Sequence, residues 1–310
     1  MTVPKPFNKS SLRLRAVLQA LFVTFLWSTS WVLIKFGLQD IPPVTFAGLR
    51  YFIAFLILIP VYKRSNAITP LRQLSRRDWL NLIGLGLLYY TITQGSQFMG
   101  LAYLPAITFS VLLNGTAVVV AVLAIPLLRE RPTRLQWGGV AVFVIGALVF
   151  FYPLAIPPGQ TVGYLIAAVH ILATSLSSIV GGGVKRGGRI HALTVTAVSM
   201  GVGSAILLLT GLATEPFPQL TLTSWGIIVW LAAVNTAFAF TLWNHTLRTL
   251  SAMESSIINN TMLIQITILA WLFLRETLTW LEIIGLVLAA LGALLVQVRI
   301  GKRKNSATTT

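Results

Sequence analysis

The sequence predicts an all-α membrane protein. Ten transmembrane helices form two inverted five-helix repeats, and both termini are cytoplasmic. Three observations carry this reading. First, 56% of the 310 residues are hydrophobic and only 10% are charged, whereas soluble domains carry about 25% charged residues. Second, the apolar residues gather into runs of membrane-spanning length. Third, a long stretch of the chain occurs twice: residues 104–150 return at 250–296, shifted by 146 with no gap, and about fifteen of 47 positions are identical. Repeats come before any other assignment because they set the architecture.

A helix needs about 20 mostly apolar residues to span a bilayer. Ten such segments stand at roughly 16–36, 44–62, 79–99, 106–128, 135–152, 162–183, 192–212, 225–245, 252–274 and 280–298. Apolar runs of this length are helical because lipid offers backbone groups no other partner. Breaker residues separate them: Pro42-Pro43, Pro105, Pro153, Pro157, Pro158, Pro216 and Pro218. Basic residues precede the first run, but that run exceeds the ~7–15 residues of a signal core and no A-x-A site follows it. It is read as an uncleaved helix.

Lysine and arginine in the loops set the orientation. With the N-terminus inside, 20 of the 23 fall on the cytoplasmic side; Lys35, Arg50 and Arg275 are the others. Five helices per half is an odd number, so the two copies run through the bilayer in opposite senses. Arg129-Glu130 then lies on the inner face and its match, Arg275-Glu276, on the outer face. The register extends back to Trp79 against Trp225. The organisation expected is a basic tail (1–15), a first repeat (16–152), a second repeat (162–298) and a basic tail (299–310). Inverted repeats recur among secondary transporters.

Two hairpins end in L-x-x-E and lead through a short turn into a glycine-bearing helix. They are Leu127-Leu128-Arg129-Glu130 with Gly138, Gly139 and Gly146, and Phe273-Leu274-Arg275-Glu276 with Gly285 and Gly292. The first helices add Trp27-Ser28-Thr29-Ser30-Trp31, Lys35, Pro43 and Ala47-Gly48-Leu49-Arg50-Tyr51. Over nearly the whole chain these residues resemble the drug/metabolite transporter superfamily, in particular its EamA-type ten-helix carriers. The resemblance implies translocation by alternating access, usually export of amino acids, related metabolites or drugs. It also implies a cavity lined by helices one, three, four, six, eight and nine, with five and ten as scaffold. One departure stands out. The proline many members carry midway along helices four and nine is absent; Ala117 and Leu263 stand there. A proline-opened backbone is therefore not expected at either place.

The candidate substrate-binding residues follow from placement. Ser110 and Asn114, like Ser256 and Asn260, are four apart and share a helix face. Each asparagine lies ~14 Å along its helix, near the midplane of a ~30 Å core. They bind a polar substrate group or bond between helices. Helix one presents Trp27 and Trp31 on one face, and helix three presents Tyr90 and Gln94, a mixed aromatic and amide lining suited to an amphipathic solute. Helix six adds His170 and helix eight adds Asn235. An intramembrane histidine is a proton carrier or a packed donor.

The candidates for coupling or gating are Lys35, Arg50 and Glu254. Lys35 and Arg50 are expected near the outer face, as snorkelling anchors or as attractors of a carboxylate. Glu254, at the inner start of helix nine, is the one acid placed near the pathway. Arg129-Glu130 and Arg275-Glu276 are read as turn and helix-end contacts.

Several classes are disfavoured. The chain has no cysteine, hence no thiolate chemistry, and its three histidines lack metal-ligand spacing; no metal or cofactor is expected. The net charge of +16 comes without an aromatic-interleaved basic patch, so no nucleic acid is expected. An intramembrane transferase would want clustered carboxylates or a nucleophile beside a base, and the seven acids are scattered. The expected partners are a small-molecule substrate and the lipid bilayer, for a monomer or homodimer in the plasma membrane.

Overall fold

The structure is a computed structural model that describes residues 9–65, 68–129, 132–186 and 190–297. Glu130, Arg131 and Arg189 lie outside the described residues, as do residues 1–8 of the first basic tail, residue 298 at the end of the second repeat and the whole second tail, 299–310. Among the described residues there is no strand. Eight helices among the described residues are long and apolar enough to cross a membrane, Ala106–Leu127 counted as one of them. The expected third segment falls in α3 (Arg76–Leu85), a π-helical stretch (Gly86–Thr93) and α4 (Gln94–Tyr103). The expected fifth falls in α7 (Arg134–Phe150), which has 17 residues.

Local chemistry repeats along with the sequence. Ser75 and Asp78 form a capping box at the start of α3, each reaching the other's backbone N–H. At the matching place Thr221 caps α10 (Leu222–Ala232) by accepting from the Ser224 amide at 3.1 Å. A second box, Thr133 with Gln136, starts α7, and its match, Thr279 with Glu282, starts α13 (Trp280–Gln297). Such caps satisfy amide donors that the first helical turn leaves open.

The π-helical stretches repeat too. Shifted by 146, Gly86–Thr93 maps onto 232–239, which contains the second one, Ala233–Phe238, between α10 and α11 (Ala239–Thr246). In each a threonine hydroxyl donates five residues back at 2.8 Å, Thr93 to the Leu88 carbonyl and Thr236 to the Leu231 carbonyl.

The halves interlock where glycines let backbones meet. A Cβ on Gly139 would lie 2.7 Å from the Val296 nitrogen and 2.9 Å from the Gly292 carbonyl oxygen. A Cβ on Gly285 would lie 2.7 Å from the Gly146 oxygen. Residue 139 thus faces 292 while 146 faces 285, so α7 and α13 run antiparallel. The same logic holds for α2 (Pro43–Arg64) and α9 (Ala192–Thr214). Gly48 abuts Leu208, and Gly211 abuts Thr45. Close approach through small residues favours helix association in lipid, where van der Waals packing replaces the hydrophobic drive that water would supply.

The expected fourth segment departs from its prediction. It breaks at Gly115 into α5 (Ala106–Asn114) and α6 (Thr116–Leu128). The Gly115 amide turns back to the Leu112 carbonyl at 2.9 Å. The ninth segment, α12 (Ala252–Leu274), is continuous.

Candidate functional site

A cavity of about 920 Å³ lies between the halves. Its walls come from α1 (Lys9–Gly37), α5, α6, α8 (Thr161–Arg186) and α12, with the start of α7 and the end of α13. At one end its lining includes Pro132, Thr133, Gln136 and Gln297, at the start of α7 and the end of α13. At the other end Trp31 and His170 both pack on buried Phe109, with ring centroids 5.7 and 5.8 Å apart. Below Phe109, the first turn of α5 is held by Glu276, whose carboxylate accepts from Ala106 N at 2.6 Å and Ile107 N at 2.9 Å.

That last contact grows from the repeated Arg-Glu motif. Arg129 and Arg275 both adopt the left-handed conformation (φ 54° and 57°) and end their helices. The turn swings Glu276 off the axis of α12 and onto the N-terminus of α5, where two open amides and the helix dipole favour an anion. The expected helix-end contact is thus a bridge between halves. Glu215 makes a similar bridge, accepting from Val44 N and Thr45 N at 3.0 and 2.7 Å.

The expected binding residues divide into two groups. Trp31, Ser110, Asn114, His170, Ser256 and Asn260 all line the cavity. The two serine-asparagine pairs keep one local geometry: Asn114 Nδ2 donates to the Ser110 carbonyl at 2.9 Å, and Asn260 Nδ2 to the Ser256 carbonyl at 3.1 Å. Beyond that they differ. Gln297 accepts from both Ser256 Oγ and Asn260 Nδ2, the latter at 3.2 Å. His170 Nδ1 lies 3.2 Å from Ser96 Oγ and the residue is only 5% exposed.

Trp27, Tyr90, Gln94 and Asn235 are not among the lining residues. Trp27 packs between Phe240 and Trp243. Tyr90 packs against Tyr51 and Tyr89, and Gln94 accepts from Tyr51 Oη at 2.6 Å. Asn235 is fully buried and donates to the Leu26 carbonyl and to Thr29 Oγ1; its own oxygen has no partner. The third and eighth expected segments thus supply no lining residue among those described, unlike what the resemblance implies. The π-helical stretches lie in these two segments and turn their polar groups toward neighbouring helices.

The charged candidates also separate. Arg50 is 4% exposed, so it does not reach the membrane interface by snorkelling. Its Nε donates to Thr236 Oγ1 at 3.1 Å, and its guanidinium lies 5.0 Å from the Tyr51 ring centroid and 5.9 Å from that of Phe98. Aromatic faces stabilise such a cation. Lys35 lines a separate 410 Å³ pocket with Gln39, Arg275 and Glu276. Glu254 closes the capping box of α12 with Ser251 and pairs with Arg13; it does not line the cavity.

Sequence reasoning missed Gln136, Asn259 and Gln297, which line the cavity. It also missed Gln265, which ties α12 to Ser28 and Thr24 of α1. The pairing of Asn259 with Asn260 was a readable signal. The two glutamines at the ends of α7 and α13 gave none, because both helices read as scaffold.

The profile of the EamA-like transporter family matches residues 14–152 and 161–298. The chain is 28% identical to "Uncharacterized transporter YvbV" of Bacillus subtilis, over 94% of this chain and 95% of that protein. It is 27% identical to a Salmonella typhimurium protein named "Probable amino-acid metabolite efflux pump", over 88% and 91%. An Escherichia coli protein of the same name is 26% identical over the same shares. A solved crystal structure at 19% identity superposes with a TM-score of 0.66, covering 92% of this chain and 97% of that one, and so shares the fold. Apolar helices of spanning length and a family match in both halves lead to one conclusion: this multi-pass membrane protein belongs to the EamA-like transporter family.

Proposed function

We propose that the protein is a secondary transporter that exports a small amphipathic solute, an amino acid, a related metabolite or a drug, across the plasma membrane by alternating access. The observation that carries this reading is the cavity between the halves, lined by matching serine-asparagine pairs from both of them. The names of the Salmonella and Escherichia coli relatives favour amino-acid metabolites and export. Import of the same solutes is the alternative direction. The intramembrane-transferase reading needs a cluster of catalytic groups in the cavity, and His170 is the one titratable side chain on its described lining.

In this reading ten segments span the bilayer as two inverted repeats, 16–152 and 162–298, with both termini cytoplasmic. The antiparallel pairing of α7 with α13 and of α2 with α9 supports the inversion, and the loop lysines and arginines support the orientation. The end of the cavity lined by Gln136 and Gln297 then lies toward the cytoplasm. Ser110, Asn114, Ser256 and Asn260 hold the polar part of the solute, and Trp31 packs on its apolar part. Of the coupling candidates, His170 reaches the cavity.

Comparative metabolite profiling of medium from cells with and without the protein tests substrate and direction together. Release of a specific solute is expected, and so is flux of that solute in proteoliposomes. Absence of solute-specific flux across a broad metabolite panel overturns the reading. Coupling is tested by imposing a pH gradient: if His170→Ala accumulates solute as the native protein does, the histidine is not the carrier.

A further inference from the structure

In the expected topology 20 of the 23 lysines and arginines fall on the cytoplasmic side, and the exceptions are Lys35, Arg50 and Arg275. Arg50 is enclosed by Thr236, Tyr51 and Phe98. The other two come from opposite halves of the chain, yet the fold brings them to one place. Lys35 stands in the last turn of α1 and Arg275 ends α12, and both line the 410 Å³ pocket. Charge sorting leaves few cations on that side of the bilayer, so the meeting of two of them calls for a partner.

The pocket has two kinds of wall. One is polar, made by Lys35, Arg275, the Gln39 amide and Glu276. Glu276 is an acid, but its two oxygens already accept from the amides of Ala106 and Ile107 at 2.6 and 2.9 Å. The positive end of α5 takes up part of its charge. Asp40, next to Gln39, does not line the pocket. The two cations therefore face it with their charge only partly offset. The other wall is apolar and outward, for Phe36 and Phe273 are 39% and 57% exposed. On a membrane-spanning surface such side chains meet acyl chains. Trp280, 82% exposed at the start of α13, lies just past the turn that follows Arg275. Indole rings gather at the headgroup level of a bilayer. Cations, an amide and lipid-facing rings thus converge at the depth where lipid phosphate lies.

We propose that this pocket binds an anionic phospholipid with a polyol headgroup, of which phosphatidylglycerol is the simplest. The phosphodiester sits between Lys35 and Arg275, whose guanidinium fork matches two phosphate oxygens. The Gln39 amide, which donates and accepts, serves the headgroup hydroxyls. The acyl chains lie on Phe36 and Phe273. A zwitterionic headgroup fits worse, because its ammonium would stand beside two cations. The bound lipid joins α1 of the first half to α12 of the second, next to the Glu276 bridge. This site shares no lining residue with the central cavity, and it stands whether or not that cavity carries the solutes proposed above. In the orientation proposed above, the lipid belongs to the outer leaflet.

The test uses the full-length chain in nanodiscs of phosphatidylcholine. The chain has no cysteine, so Thr277→Cys carries a single fluorophore beside the pocket, at an exposed residue outside its lining. Phosphatidylglycerol or phosphatidylcholine bearing a nitroxide near the headgroup is then added as a minor component. Phosphatidylglycerol should quench at about tenfold lower mole fraction, because each cation near the surface favours an anionic lipid. A preference below about fivefold overturns the inference. Lys35→Gln combined with Arg275→Asn should reduce the preference below about twofold; asparagine tolerates the left-handed conformation at position 275. A preference that survives this change also overturns the inference, since it would then belong to the general basic charge of the chain. If the double variant does not fold, Lys35→Gln alone is read: it should remove at least about half of the preference, and a smaller loss overturns the inference. Glycerol phosphate at millimolar concentration separates a soluble source from a lipid one. It should leave the quenching unchanged, and displacement of the lipid would overturn the assignment to a membrane lipid.

Discussion

The two matched hairpins begin with the same polar pair and end with different freedom. In both, an asparagine amide donates to the carbonyl of the serine four residues earlier. In both, an arginine in the left-handed conformation ends the helix, and a capping box starts the next. The first hairpin then breaks at Gly115, directly after Asn114, where the second has Thr261 within a continuous helix. The second carries Gln297 at the end of α13, which takes up both Ser256 and Asn260. Among the described residues Asn114 has no such partner beyond its own helix. Duplication therefore kept the local chemistry, while the packing left one asparagine available to a ligand and tied down the other. The helix ends show a second asymmetry. The start of α5 is capped by Glu276 from the other half, whereas α12 is capped by its own Ser251 and Glu254.

The largest expected effect comes from disturbing the seam between the halves. Gly139→Leu drives a side chain into the backbone of α13 and should cost about 3 kcal/mol or abolish folding. Gly138→Leu, one residue along with nothing within 4 Å, should leave the melting temperature in detergent within a few degrees. Equal losses from both substitutions would mean that the seam is not packed as described.

Next comes the borrowed cap. Glu276→Gln removes the anion at the first turn of α5 and should cost about 1–2 kcal/mol there. Hydrogen exchange at Ala106 through Phe109 should quicken about tenfold. Ser251→Ala at the start of α12 should act only on its own helix. Unchanged exchange at α5 in the glutamine variant would remove the bridge between halves.

The asparagines follow. Asn114→Ala should weaken solute affinity about tenfold, the effect of losing one hydrogen bond to a buried ligand. Asn260→Ala should weaken it about threefold, because Gln297 already engages that side chain. Binding titrations of the purified variants check the order, and a larger loss at Asn260 reverses the comparison. The smallest effect is expected from Gln297→Ala. By freeing Asn260 it should bring the two halves closer to equivalence and shift affinity by no more than about threefold. In that background Asn260→Ala should become as damaging as Asn114→Ala.

Legibility of the site followed the chemistry of each residue. Ser110, Asn114, Ser256 and Asn260 could be read because polar residues in register inside apolar helices are rare enough to be noticed, and helical geometry puts positions four apart on one face. Trp31 was legible from its place four residues after Trp27 on one helix face, and His170 as an ionisable residue inside an apolar run. Tyr90 and Gln94 had equally clear helical spacing, and Asn235 was a polar residue in an apolar run, but all three lie in the segments carrying the π-helical stretches. There an extra residue per turn alters which face is presented, and no residue type announces it. Arg50 illustrates another limit. Its position in the chain placed it near an interface, yet Tyr51, Phe98 and Thr236, distant or adjacent in sequence, enclose it.

Composition by itself determined the membrane class, and identity at a constant shift determined the sequence repeat and its register, because each depends on local hydrophobicity or on residue type alone. Only the tertiary structure decided where α5 breaks, which asparagine stays available, that Glu276 caps a helix 170 positions away, and that the cavity carries no described lysine, arginine or acid. These properties arise from groups brought together by the packing of one half on the other. A sequence states which groups exist at each position; which of them face the same space is settled by helix rotation and depth, and those are fixed by contacts across the interface.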